Sequence, residues 1–281
     1  MKSYPTSVGK LLCATLFLIP STLVEGKKEN PNENYSHSVF FTVYNMTASN
    51  AATSKAAAKK AAAARVVAAA KAAARKAELK MITLEAVGMF NDMQLEDSGL
   101  NRNALETALL GYHRLLRKGL LQRTDVLSIC DFSQPSSSKR MYVIDVRNRK
   151  LLYRSYVAHG ISSGSEFANS FSNQPESYKS SLGFYVTRNT YYGSNGYSLR
   201  IDGVDRGFNN MASARNIVIH GAPYVSERIL HKYGVMGTTF GCPAIPSELS
   251  NEIIPVLKNG TCFFIYYPSK KYLNGSSVLN G

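Results

Sequence analysis

Residues 51–80 constrain this chain more than any other stretch. They are alanine interrupted by Lys55, Lys59, Lys60, Arg65, Lys71, Arg75, Lys76 and Lys80. Alanine has the highest helix propensity, so the tract is expected to be helical. It has no apolar stripe wide enough to dock on a core, and only Glu78 offers an opposite-charge helical partner. At about 1.5 Å per residue a full helix here would run roughly 45 Å. Any packed core must therefore be built by the residues that follow. The tract itself reads as a solvated spacer or as a cationic arm for an anionic surface.

Charge follows the same division. Of the formal net charge of +14, residues 27–80 supply ten basic and three acidic groups, net +7. Residues 81–127 give five against six, and residues 128–281 give sixteen against nine, again +7. Ahead of the arm, residues 27–50 are rich in Asn, Ser and charge and are expected to be a disordered linker, apart from an apolar run at 39–43. At the start, Lys2 and Lys10 precede the apolar run 11–19, which Pro20 and Ser21 break. That is the layout of a secretory signal peptide over 1–26, too short to span a bilayer comfortably, with an uncleaved membrane anchor as the alternative. Cys13 does not sit in a convincing lipobox. The product is then expected outside the cytoplasm, which makes nucleic acid an unlikely partner for the basic tract.

Residues 81–126 read as a helical segment. Leu79, Ile82, Ala86, Val87 and Phe90 follow helical spacing, and NALE at 103–106 resembles a capping box leading into Leu105, Ala108, Leu109, Tyr112, Leu115 and Leu116. From Leu127 to 268 alternating apolar runs at 141–146, 151–158, 183–187, 217–219 and 262–267 predict strands, with helices at 225–233 and 247–258. About 140 residues suffice for one core. Residues 269–281 read as a flexible tail.

The chemistry lies late in the chain. NIVI at 216–219 is a short apolar strand delivering His220 to its end, and Gly221 lets the backbone turn away. Downstream, GTTFGCPA at 237–244 sets Cys242 in a glycine-flanked turn. The thiolate is the reactive form of cysteine, and an imidazole in reach can take the thiol proton. A small residue before the cysteine admits a carbonyl, and backbone N–H groups in such a turn can receive an oxyanion. The residues alone also allow a buried small hydrophobe and a core histidine. Cys130 and Cys262 lie in strand-like runs and are expected as buried free thiols, a bridge between them being the alternative. No CxxC pair, HExxH or phosphate-binding glycine loop is present, and neither metal nor cofactor is implied.

The order His-Gly, spacer, Thr-x-Gly-Cys resembles the signature of the L,D-transpeptidase catalytic domain (YkuD-type), in particular the subgroup with Phe or Trp before the Gly-Cys. KRMYVIDVRNRKLLY at 139–153 is similar to the family's opening hairpin, and SSLGFYV at 180–186 to a segment ahead of its active site. The resemblance covers roughly residues 81–268. It implies a mainly β, β-sandwich-like catalytic fold with helices, preceded here by two packing helices and the Ala/Lys-rich arm. It also implies Cys242 as acylated nucleophile, His220 as base, Gly221 as the carbonyl that orients it, and Gly241 with Thr239 as the oxyanion turn. Two positions depart from the family pattern: Phe240 replaces a frequent histidine and Ala244 a frequent arginine, so substrate recognition falls to other groups.

His159 and Arg200 are candidates for that duty, against the readings of a structural histidine and of an arginine paired with Asp202 or Asp205. The Tyr/Gly stretch 191–197 reads as a groove-lining loop or as cross-strand packing. The implied function is a periplasmic or envelope enzyme that takes a peptidoglycan tetrapeptide stem onto cysteine, releases D-Ala and transfers the stem to an amine. Water as acceptor would make it an L,D-carboxypeptidase, and an envelope protein amine an anchoring enzyme. A cysteine peptidase or amidase of another fold fits less well, because papain-like and NlpC-type enzymes place cysteine before histidine. A non-catalytic wall-binding protein is the remaining alternative, with anionic membrane or wall polymer as partner of residues 51–80.

Overall fold

A computed structural model describes residues 34–281, with side chains from residue 53 onward. The expected leader, residues 1–26, lies outside the described residues. Two compact units divide the chain at Ala68/Ala69.

Helix α1 (Asn34–Asp92) crosses that division. Residues 34–50, expected to be a disordered linker, are helical, and the helix runs past Lys80. No proline interrupts 34–92, so the helix set up by the alanine tract propagates in both directions. Over 53–76 its side chains are exposed. In the second unit Ile82, Ala86, Met89 and Phe90 bury one face, while Glu78 binds Arg117 and, at 2.6 Å, Arg114.

A turn at Gln94 and the short α2 (Leu95–Ser98) lead into α3 (Arg102–Arg117). The cap differs from the NALE reading. Asn101 is the N-cap, its Oδ1 accepting from the Asn103 N–H at 2.9 Å, so Asn103 already lies inside the helix. Ala104, Leu105, Ala108, Leu109, Tyr112 and Leu115 form the buried face of α3. A Cβ at Gly111 would collide with the Phe184 ring, so glycine there lets the helix lie close on the sheet.

The sheet has eight strands: β1 (Val126–Asp131), β2 (Met141–Asp145), β3 (Lys150–Ser155), β4 (Gly183–Gly193), β5 (Gly196–Gly203), β6 (Val218–Ala222), β7 (Ala244–Pro246) and β8 (Cys262–Tyr266). Their order is β3-β2-β1-β8-β4-β5-β6-β7. β1/β8 and β6/β7 are parallel and the other neighbours antiparallel. The chain leaving β3 bridges to β7 at Ala158↔Ala244 and beyond it at Gly160↔Thr239, so the sheet nearly closes into a barrel. This is the expected mainly β domain with helices.

β4 and β5 form a hairpin in which Tyr192 and Tyr197 are register partners with ring centroids 5.2 Å apart. The 191–197 stretch is therefore cross-strand packing. Cys130 and Cys262 are free and buried. They sit on adjacent strands but out of register, Leu127 facing Cys262 and Cys130 facing Ile265, an offset of about 10 Å along the strand that no disulfide spans.

Helices α4 (Glu227–Tyr233) and α5 (Ser247–Leu257) occupy the expected segments. The tail, expected to be flexible, is helical. It forms α6 (Lys270–Gly275) and α7 (Ser277–Asn280), burying Tyr272, Val278 and Leu279. The buried carboxylate of Asp205 anchors them, accepting from Tyr272 Oη at 2.9 Å, Ser276 Oγ at 2.5 Å and the Val278 N–H at 3.1 Å.

Candidate active site

β6 carries the histidine between β5 and β7. Alternation sends Ile219 into the core and places Val218 and His220 on the opposite face. The register sets the neighbours: Ser198, His220 and Ala244 form one cross-strand row, and Arg200 stands opposite Val218 in the row before it. Continued back from β7, that second row ends at Cys242. The Val218 N–H indeed points at Cys242 Sγ, 3.5 Å away. The thiol donates to the Asn216 carbonyl at 3.7 Å. Cys242, two residues ahead of β7, thus lies beside Val218, one cross-strand row before His220.

His220 is 4% exposed, and its Nδ1 lies 2.9 Å from the Gly221 carbonyl oxygen. A carbonyl only accepts, so the ring proton sits on Nδ1 and Nε2 keeps a free lone pair. Burial holds the imidazole below its usual pKa, partly offset by this bond. Burial also pushes the Cys242 thiol up, against the Val218 N–H and the Arg215 charge, which draw it down. Both shifts favour the uncharged forms, thiol and imidazole.

Thr239 builds the turn ahead of the thiol. Its Oγ1 donates to the Cys242 carbonyl at 2.7 Å and accepts from the Gly241 N–H at 3.0 Å. The Gly241 amide is therefore occupied, and the next donor, the Cys242 N–H, has no partner among the described residues. Gly241 has φ +123°, and a Cβ on it would stand 2.8 Å from the Lys179 carbonyl oxygen, so no other residue fits. Ala244 is fully buried beside His220.

The remaining sequence candidates separate. His159 is 1% exposed and spent on structure: Nδ1 accepts from Arg140 at 2.7 Å and Nε2 donates to the Gly164 carbonyl at 3.0 Å. Desolvation and the Arg140 charge depress its pKa to about 4. A substrate contact would need a ring nitrogen that is already taken. Arg200 is exposed, its guanidinium 4.2 Å from the Tyr191 ring centroid. Asp202 pairs with Arg188 at 2.7 Å and Asp205 is consumed by the C-terminal helices, so neither neutralises Arg200. Phe240 is 74% exposed and lies 4.9 Å from the Tyr178 ring. Arg215 and Tyr224, which no motif marks, lie against the same turn, Arg215 on Gly241 and Tyr224 on Gly237.

A buried histidine with one free lone pair, next to a cysteine whose amide is unspent, is suited to acyl transfer. The family model described as L,D-transpeptidase catalytic domain matches residues 96–266. The chain belongs to this family. L,D-transpeptidases act on peptidoglycan stem peptides and are typically extracytoplasmic. Among the described residues no helix is long and apolar enough to cross a membrane. A comparison with curated proteins gives no match. Among solved structures the chain is similar to an L,D-transpeptidase from Mycobacterium smegmatis, at 11% identity over 51% of this chain and 59% of that one, with a TM-score of 0.31. An L,D-transpeptidase from Mycobacterium tuberculosis shares 16% identity over 51% and 58%, TM-score 0.31. The helical cell shape determining protein Pgp2 from Campylobacter jejuni shares 16% over 57% and 57%, TM-score 0.32. The chain spans less than two thirds of each.

Proposed function

We propose that this L,D-transpeptidase family member is a peptidoglycan L,D-transpeptidase with Cys242 as nucleophile and His220 as base. The observation that carries the reading is the bond from His220 Nδ1–H to the Gly221 carbonyl, which leaves Nε2 without a partner among the described residues, one cross-strand row from Cys242. Nε2 takes the thiol proton as Sγ attacks the carbonyl between the L-centre and D-Ala of a tetrapeptide stem. The Cys242 N–H serves the developing oxyanion. The imidazolium returns the proton to the departing amine, the C–N bond breaks, D-Ala leaves and a thioester remains. A side-chain amine of a second stem then attacks, His220 takes its proton, and collapse expels the sulfur, which recovers that proton.

Arg200 stands in the same row as Cys242, two strands away, at roughly 10 Å. Exposed and without a carboxylate, it suits an anionic group of the stem. Phe240 and Tyr178 supply an apolar rim. Residues 51–80 serve as a spacer or hold an anionic membrane or wall polymer, and the protein works in the cell envelope.

The test is incubation of the protein and its Cys242→Ala variant with disaccharide-tetrapeptide, followed by mass analysis. D-Ala release and a thioester adduct only with Cys242 support the reading. Dimers then mark a transferase, and free tripeptide an L,D-carboxypeptidase. Untouched tetrapeptide with both proteins would leave a wall-binding protein that kept the fold.

A further inference from the structure

We propose that Arg215 is the positioning residue of the nucleophile: its guanidinium locks the 172–181 loop onto the Gly241–Cys242 turn and sets an uncompensated positive charge beside the thiol. The inference deepens the reading of Cys242 as nucleophile and rests on it.

The geometry is a four-point clamp. One terminal nitrogen of Arg215 donates to the Ser172 carbonyl at 2.9 Å and to Ser181 Oγ at 2.5 Å. The other donates to the Lys179 carbonyl at 2.7 Å and to Ser177 Oγ at 3.3 Å. All four acceptors are neutral, and among the described residues no carboxylate stands within ion-pair reach of Arg215. Arg114, Arg117, Arg123, Arg149 and Arg188 each have one. A half-buried guanidinium spent on carbonyls and hydroxyls keeps its full charge, where water screens it less than at the surface.

That charge has the nucleophile beside it. The second terminal nitrogen lies 3.2 Å from where a Cβ on Gly241 would stand, so the guanidinium rests on the main chain one residue before Cys242. The next residue, Asn216, gives its carbonyl to the thiol. Among the described residues the titratable groups around the pair are His220 on β6, Tyr224 after it, Tyr185 on β4 and Lys179 on the clamped loop, whose ammonium is turned to Ser170 Oγ at 2.8 Å. Arg215 is the cation that acts on the thiol.

The loop needs the clamp. Glu176 and Tyr178 adopt φ of +55° and +52°, a left-handed conformation that costs a non-glycine residue energy and persists only where surrounding contacts impose it. Arg215 bonds on both sides of these residues. Tyr178 in turn faces Phe240 across the mouth of the site, so the clamp fixes one wall of the cleft as well as the electrostatics of the thiol.

The test is the pH dependence of Cys242 alkylation by iodoacetamide in the full chain, with the label located on the Cys242 peptide by mass. Arg215→Gln keeps hydrogen-bond donors and loses the charge. Its alkylation midpoint should rise by about one pH unit, slowing the reaction about tenfold at pH 7. Arg215→Lys should return the midpoint close to wild type. Ser177→Asp leaves Arg215 intact and sets a carboxylate on its guanidinium, so it should raise the midpoint too, whereas Ser177→Asn should not. Should Arg215→Gln fail to fold, the Ser177 pair decides. Wild-type midpoints in folded Arg215→Gln and Ser177→Asp overturn the proposal. The alkylation uses no peptidoglycan, so shifted midpoints in a protein that leaves tetrapeptide untouched would retain this inference and remove the functional reading.

Discussion

The carbonyl oxygen of Gly221 lies 2.9 Å from Nδ1 of His220, one residue earlier on the same strand. The strand thus orients the ring proposed as the base, a task a carboxylate performs in protease triads. Replacing His220 by Gln removes the proton acceptor and should lower D-Ala release by about 10²–10⁴-fold. The melting temperature should stay near wild type. Undiminished release in the variant would take His220 out of the mechanism.

Activity should depend on pH in a defined way. Burial holds the His220 pKa below the usual 6.5 and the Cys242 pKa above the usual 9.0. Between those values the imidazole is neutral and the thiol protonated, the state the proton transfer needs. Acylation measured as single-turnover D-Ala release should therefore be flat from pH 6.5 to 9.0 and fall only below it, as the imidazole protonates. An acid limb centred above pH 7 would contradict the assignment.

Gly241→Ala should be severe. The added methyl meets the Lys179 carbonyl at 2.8 Å at a φ of +123°. Strain of this kind costs about 1–3 kcal/mol. Displacing the turn that carries Cys242, the proposed nucleophile, by about 1 Å can cost about 10²-fold in rate. Thermal melting and D-Ala release read the two effects separately.

His159 should make the fold acid-labile. Its pKa is about 4 when folded against 6.5 in the unfolded chain, so the unfolded state binds the extra proton between those values. The stability is complete above 6.5 and is lost as pH falls towards 4, by up to about 3 kcal/mol. Urea unfolding across that range should show this decline. His159→Gln should be less stable at neutral pH and lack the decline.

Asp205→Ala should release the C-terminal helices. It leaves Tyr272 Oη, Ser276 Oγ and the Val278 N–H without their shared acceptor. A loss of about 3 kcal/mol is expected, with new proteolytic cleavage after Lys270 or Lys271. An uncut tail would show that apolar burial alone holds it.

The sequence by itself determined what neighbouring residues decide. Alanine made α1 a helix, alternation marked the strands around Val143, Val186 and Ile219, and the glycine before Cys242 announced a sharp turn, whereas Gly221, expected to turn the chain away after His220, continues β6 to Ala222 and pairs with Ile245. Its reach ended where the relevant partner lies far along the chain. Residues 34–50 carry few helix signals of their own and are helical as the first part of α1, whose alanine tract follows them. The tail residues 269–281 look loose until Asp205 collects their donors. Nothing local distinguishes His159, whose ring Arg140 occupies, from His220, whose Nε2 stays free. Arg200 has two aspartates within five residues, and only the folded β4–β5 hairpin gives Asp202 to Arg188. Arg215 sits in a stretch without pattern and acquires its place from a loop some forty residues earlier. Propensity and periodicity are properties of adjacent residues, whereas register, burial and the pairing of charges exist only once distant segments have been brought together.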